Sequence, residues 1–317
     1  MKGKISISIQ NRHIAFKFEL ERNVTVLTGD SGTGKTKLIN MVRMYSTEGK
    51  ASGITLKCDY QCIVLEGRNW EKILQNTEKS IVFVEESTHF LMDKSFAREI
   101  KNTDNYYVLV TREPLPQIPY SIESVKKIVK NNRKPKIEKM FKNISVKNIS
   151  SVPYDEVLVE DSKAGFFFFS RACEKLGIQC ISAKGKSNIL SELKKSKSYR
   201  ILVIADAAAL GPEIIELMRF RMLSGKRIDF FLPESFEWLV LRSKIFIGNE
   251  YVNDILSNPV NHIESRQYFS WEQFFTQLLV DQTKDKPKLK YPKTKGKLPS
   301  GYFTNANMDS ILNAMHN

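Results

Sequence analysis

Gly29-Asp30-Ser31-Gly32-Thr33-Gly34-Lys35-Thr36 is the stretch from which the rest of the chain is read. Its spacing is G-x-x-x-x-G-K-[ST]. Just before it, Val24-Thr25-Val26-Leu27-Thr28 is short, apolar and β-branched, which reads as a buried strand. Just after it, Leu38, Ile39, Met41 and Val42 recur as one face of a helix. Glycines between a strand and a helix let successive backbone N–H groups turn toward one anion. The helix N-terminus adds its partial positive charge. In this arrangement Lys35 reaches the β- and γ-phosphates of a nucleotide, and the Thr36 hydroxyl ligates Mg²⁺. Residues Gly29, Asp30, Ser31, Gly32, Thr33, Gly34, Lys35 and Thr36 are therefore the candidate phosphate-binding set.

The chain has 317 residues, enough for two domains, and 42% hydrophobic with 26% charged residues is ordinary for a soluble globular protein. No apolar run is long enough to span a bilayer. The N-terminal Met1 to Ser8 alternates like a strand and lacks the apolar centre of a signal peptide, so a cytoplasmic location is expected. A formal net charge of +14 points to polyanions, nucleic acid first and an acidic membrane surface second, with a merely lysine-rich surface as the alternative. Cys58, Cys62, Cys173 and Cys180 show no C-x-x-C spacing, which favours buried thiols over zinc. The four histidines are scattered and read as structural or surface residues.

Residues 3 to 20 read as a β-hairpin: Ile5, Ile7 and Ile9 alternate, Asn11-Arg12 turns, and Ile14, Phe16, Phe18 and Leu20 alternate again. Ser80 to Val84 is a further strand that ends in Glu85-Glu86. Its carboxylates emerge at the C-terminal edge of a parallel sheet, where ligands of open α/β folds sit. The bland alternative is a buried strand followed by a helix cap. Phe90 to Ile100 reads as a helix, and Tyr106 to Arg112 as the next strand. Hairpin, glycine loop and acid-tipped strand together resemble the ABC-type ATPases. That resemblance implies ATP and Mg²⁺ as ligands, with Thr36 and Glu85 at the metal and Glu86 orienting the attacking water. It also places Thr111 where such proteins sense the γ-phosphate. Two departures stand out. The family has Asp where Glu85 stands, and only some fifty residues separate the two motifs, too few for the signature subdomain. Leu223-Ser224-Gly225-Lys226 has signature-like letters but reads as a helix C-cap.

Between Lys126 and Lys142 lysines and arginines dominate, with Glu138 as the opposing acid. The segment reads as an inter-domain linker, solvated or touching phosphate backbone. Beyond it, strands at 154–159, 178–182, 200–204 and 227–232 alternate with helices at 166–176, 187–195 and 212–223, which implies a second parallel sheet. Val157-Leu158-Val159-Glu160-Asp161 and Ile204-Ala205-Asp206-Ala207-Ala208 to Glu213 are similar to the two acidic motifs of the TOPRIM domain. The resemblance implies Mg²⁺-dependent phosphodiester chemistry with Glu160 and Asp206 as catalytic and metal-binding acids. Here Ala208 stands at the second Asp of D-x-D; Glu213, Glu234 or Glu237 are the candidate substitutes. Alternatively, Glu160 and Asp206 only cap helices of a generic Rossmann-like domain.

ATPase followed by TOPRIM is the domain order of OLD-family nucleases of phage defence and mobile elements. The expected fold is therefore α/β, a P-loop NTPase domain (1–125), a basic linker (126–151), a TOPRIM-like domain (152–245) and a C-terminal extension (246–317). In that extension Trp271 to Leu279 is an amphipathic helix and Lys284 to Lys297 a basic, proline-containing stretch. Three functions are consistent with these residues. The first is an ATPase that couples nucleotide state to nucleic-acid cleavage or binding, through basic segments 126–142 and 284–297. The second is a non-enzymatic, ATP-switched regulator that docks a partner protein; self-association stays open in both. The third is a small-molecule phosphotransferase, for which no lid arginine pattern is present.

Overall fold

The computed structural model describes residues 1–130, 134–142, 144, 153–292 and 297–315. Residues 131–133, 143 and 145–151 of the expected linker 126–151, Arg133 among them, and residues 293–296 of the basic stretch lie outside the described residues. The chain is α/β and divides into two compact units: Met1–Lys142 with Asn258–Ser270, and Asn143–Ser257 with Trp271–Asn317.

In the first unit, β1 (Ile5–Gln10) and β2 (Ala15–Leu20) form the expected antiparallel hairpin, with Ile7 opposite Phe18. A third short strand, β4 (Thr55–Lys57), joins the other edge of β1. The larger sheet contains β3 (Val24–Thr28), β5 (Gln61–Val64), β6 (Ser80–Glu85), β7 (Tyr106–Val110), β8 (Val125–Val129) and β9 (Lys136–Lys139). Its order is β5-β6-β7-β3-β8-β9, parallel except for β9. The central strands are buried on both faces, as the near-continuous apolar runs require. Ile81 and Phe83 face the layer of the hairpin and helix α1 (Lys35–Glu48), whereas Val82 and Val84 face α2 (Trp70–Gln75) and α3 (Lys94–Glu99).

Two expectations change here. Residues 126–142 are not simply a basic linker, because Val125, Ile128 and Ile137 alternate with the lysines and carry β8 and β9 into the sheet edge. The helix expected from Phe90 begins only at Lys94. Phe90 is held in the preceding turns by stacking on Trp70, with ring centroids 4.7 Å apart, so its burial comes from an aromatic cluster and not from helical periodicity.

The second unit has one parallel sheet of order β11-β10-β12-β13, built from β10 (Glu156–Val159), β11 (Gln179–Ser182), β12 (Arg200–Ile204) and β13 (Arg227–Phe231). The connecting helices are α4 (Ala164–Leu176), α5 (Ile189–Lys195) and α6 (Ile214–Leu223). Helix α6 ends at Ser224 with Gly225 at φ +69°, so the Leu223-Ser224-Gly225 letters are a helix terminus. Four helices follow: α7 (Phe236–Arg242), α8 (Glu250–Ser257), α9 (Trp271–Thr283) and α10 (Asn305–Asn313). The aromatic block contributes Phe168 and Phe169 to the core, where both meet the Phe236 ring. No described helix is long and apolar enough to cross a membrane.

Candidate functional site

In the first unit the glycine loop leaves the C-terminal end of β3. Gly29, Gly32 and Gly34 all have positive φ, and Gly34 caps α1 at φ +109°. A Cβ at Gly34 would lie 3.3 Å from the Phe16 ring, so both space and backbone require glycine there. Thr33 Oγ1 donates to the Asp30 carbonyl at 2.9 Å and braces the turn. Lys35 is buried, and its ammonium donates to the carbonyls of Gly29 and Asp30. Burial and the Arg112 charge hold its pKa below the usual lysine range. Thr36 is exposed in the first turn of α1.

Strand β7 lies between β3 and β6. At the usual strand spacing, the glycine loop and the acids of β6 are thus about 10 Å apart along the same sheet edge. Glu85 accepts from Arg43 of α1 at 3.4 Å, and Arg43 also pairs with Glu66 at 2.8 Å. Glu86 accepts from the Arg112 backbone N–H at 3.3 Å, with the guanidinium Nε 3.9 Å away. Thr111 is buried; its N–H donates to the Leu27 carbonyl at 3.2 Å, and its hydroxyl accepts from the Glu113 N–H at 3.0 Å. The residues expected at the nucleotide therefore share one edge.

Among the described residues no three acidic, histidine or cysteine side chains form a cluster that could hold a metal ion. Mg²⁺ in nucleotide sites takes one or two protein oxygens, and phosphates and water complete the octahedron. The Thr36 hydroxyl and Glu85 carboxylate are hard oxygen donors of that kind.

In the second unit β10 and β12 are neighbours, and the acids that follow them meet. The Asp206 N–H donates to Glu160 Oε2 at 2.9 Å. Asp161 caps α4 instead, accepting from Phe166 N–H at 2.7 Å and Gly165 N–H at 3.2 Å. The helix-cap role considered for Glu160 thus belongs to its neighbour. Glu160, Asp161 and Asp206 line a cavity of about 1100 Å³ together with Lys163, Lys184, Glu237, Glu272 and Tyr291. Of the three proposed substitutes for the missing acid, only Glu237 lines this cavity. Glu213 pairs with Lys186 at 3.2 Å, and the Ala208 N–H bonds to the Glu234 carbonyl at 3.3 Å. Burial drives the carboxyl pKa values up, to about 7 at Glu160 and at Glu272. Burial likewise raises Asp206 well above its ordinary value, with the charges of Glu272 and Glu160 adding to the effect. Tyr291 donates to Glu237 Oε1 at 2.6 Å.

Sequence reasoning missed Glu272, Tyr291, Lys163 and Lys184. Glu272 lies in the first turn of α9, where an acid is favoured by the helix dipole alone, so its position carried no distinguishing signal. The basic stretches are partly committed within their own units. Lys126 bonds the Glu19 carbonyl, Lys139 pairs with Glu123, and Lys286 stands 5.0 Å over the Phe246 ring. No family model and no curated protein matches the chain.

Proposed function

We propose that the first unit is a P-loop domain that binds and hydrolyses Mg-ATP. The observation that carries this reading is the strand order β6-β7-β3, which sets the Gly29–Thr36 loop and the Glu85–Glu86 acids on one sheet edge with Thr111 between them. The loop holds the phosphates through backbone N–H groups, Lys35 turns from the loop carbonyls to the β- and γ-phosphates, and Glu86 orients water. Mg²⁺, when bound to Thr36 and Glu85, neutralises charge on the phosphate oxygens. The test is ATP binding by calorimetry and phosphate release, in wild type and Lys35→Ala. Binding and turnover lost in the variant support the reading; a wild-type chain that binds no ATP with Mg²⁺ present sinks it.

The second unit is read as a TOPRIM-like domain acting on nucleic acid, with Glu160 and Asp206 as its acids and ATP state controlling it. Mg²⁺-dependent nicking that disappears in Glu160→Ala and Asp206→Ala is the expected result. Ala208 favours the second reading, a regulatory domain that docks a partner protein, because no carboxylate stands at that position. Absence of cleavage under every nucleotide and metal condition, with ATP binding intact, selects this second reading.

A further inference from the structure

A cation that belongs to neither sequence motif stands at the same edge. Arg112 follows Thr111 directly after β7, the strand between the glycine loop and the acids. The Thr111 N–H is bonded back to Leu27, two residues before Gly29, so the backbone at Arg112 is tied to the root of the loop. Its own N–H and Nε both face Glu86, at 3.3 Å and 3.9 Å. The side chain is 53% exposed, free to change partner without disturbing the core. Because β3 and β7 are neighbours, Lys35 and Arg112 bring two cations to the same stretch of sheet edge. Like charges brought together disfavour the empty-handed arrangement and favour a polyanion between them.

We infer that Arg112 is a catalytic residue of the proposed ATP hydrolysis: its guanidinium takes the γ-phosphate and, in doing so, leaves the Glu86 carboxylate to the attacking water. The inference rests on reading the first unit as an Mg-ATP hydrolase. The bond that forms joins the water oxygen to the γ-phosphorus. The bond that breaks joins that phosphorus to the β–γ bridging oxygen, whose electron pair leaves with ADP, and the water proton passes to Glu86. An arginine fits this place because its planar fork matches phosphate oxygens and stabilises the charge of the transferring group.

The experiment compares wild type, Arg112→Ala and Arg112→Lys for ATP affinity, ADP affinity and phosphate release. ADP lacks the γ-phosphate, so its affinity is the internal control. Arg112→Ala is expected to weaken ATP about tenfold or more and leave ADP within about twofold, because a charge-assisted bond to one phosphate is lost. Turnover is expected to fall by about 10³. Arg112→Lys restores part of the ATP affinity and little of the rate, since an ammonium lacks the fork. Equal weakening of ATP and ADP, or wild-type affinity and turnover in Arg112→Ala, overturns the inference and leaves the hydrolase reading standing. A wild-type chain that binds neither nucleotide overturns both.

Discussion

The backbone N–H of Asp206 donates to the Glu160 carboxylate at 2.9 Å, joining two acids that are 46 residues apart in sequence. This bond fixes one oxygen of Glu160 at the end of β12, and the crowd of acids around it determines how the unit responds to pH.

Glu160 and Glu272 both titrate near 7 in the folded chain, against an ordinary value of 4.5, chiefly because they are buried. The folded state therefore holds more protons than the unfolded chain across that window. The stability so gained is complete below about pH 4.5 and is lost as pH rises through about 7. The second unit is expected to melt later at pH 5.5 than at pH 7.5 (conditions chosen to bracket the upper end of that window). Glu272→Gln should stabilise it at the higher pH by on the order of 2 kcal/mol and flatten the dependence. A variant that melts earlier than wild type at pH 7.5 contradicts this account.

On the proposed TOPRIM-like reading of the second unit, Mg²⁺ or Mn²⁺ would compete with those protons. Added metal should raise the unfolding midpoint more at pH 7.5 than at pH 5.5, and Glu160→Ala should remove the effect; mass action makes the shift about 2.7 kcal/mol at a hundredfold excess over Kd. Equal shifts in wild type and variant would place the metal elsewhere.

Gly34 has φ +109° and faces the Phe16 ring. Gly34→Ala is expected to cost about 1–3 kcal/mol through backbone strain, and to abolish ATP binding by displacing the start of α1. Urea unfolding and calorimetry on the same sample check both. Unchanged stability would show that the loop relaxes freely.

Asp104 accepts from the Met1 α-ammonium and, at 2.7 Å, from the Ser265 hydroxyl. Burial pushes its pKa up, but these donors outweigh it and hold the carboxyl below the usual aspartate range. Its contribution is present at neutral pH and lost as pH falls through that depressed value. Asp104→Ala should destabilise the first unit by about 1–3 kcal/mol, since the buried Met1 ammonium is left with the partly exposed Glu264 as its carboxylate partner. A loss below 0.5 kcal/mol, roughly what an exposed pair contributes, would refute that role.

The Cys58 thiol is brought down to about 7 by its hydrogen bond with the Cys62 thiol. Iodoacetamide at neutral pH should label Cys58 before the other three cysteines. Cys62→Ala should slow that labelling about tenfold, as the thiolate fraction falls toward that of an ordinary cysteine. Mass spectrometry of tryptic peptides identifies the site; preferential labelling of Cys180, a half-buried thiol whose pKa is pushed up by its bond with Cys173, would contradict this account.

The glycine loop, the hairpin and the strand–helix alternation were legible because their signals are local: Gly34 needs positive φ, Ile5 and Ile7 alternate, and Val82 to Val84 are apolar throughout. Long-range packing hid the rest. Ile128 and Ile137 face the core among lysines that look solvated. Phe90 is placed by Trp70, and Glu272 joins the acids of β10 and β12 only because α9 returns to that unit. No window of a few residues contains those partners.

The chain passes from the first unit to the second, back at Asn258, and over again at Trp271. This threading bears on inheritance. A single recombination crossover between Asp104 and Glu272 leaves at least one unit of mixed parentage, separating Asp104 from its Ser265 partner or Glu160 from Glu272 and Tyr291 of the acidic cavity. Exchange of one whole unit and nothing else requires three breakpoints, one at each crossing between the units, so lineages of this protein should inherit both units as one block.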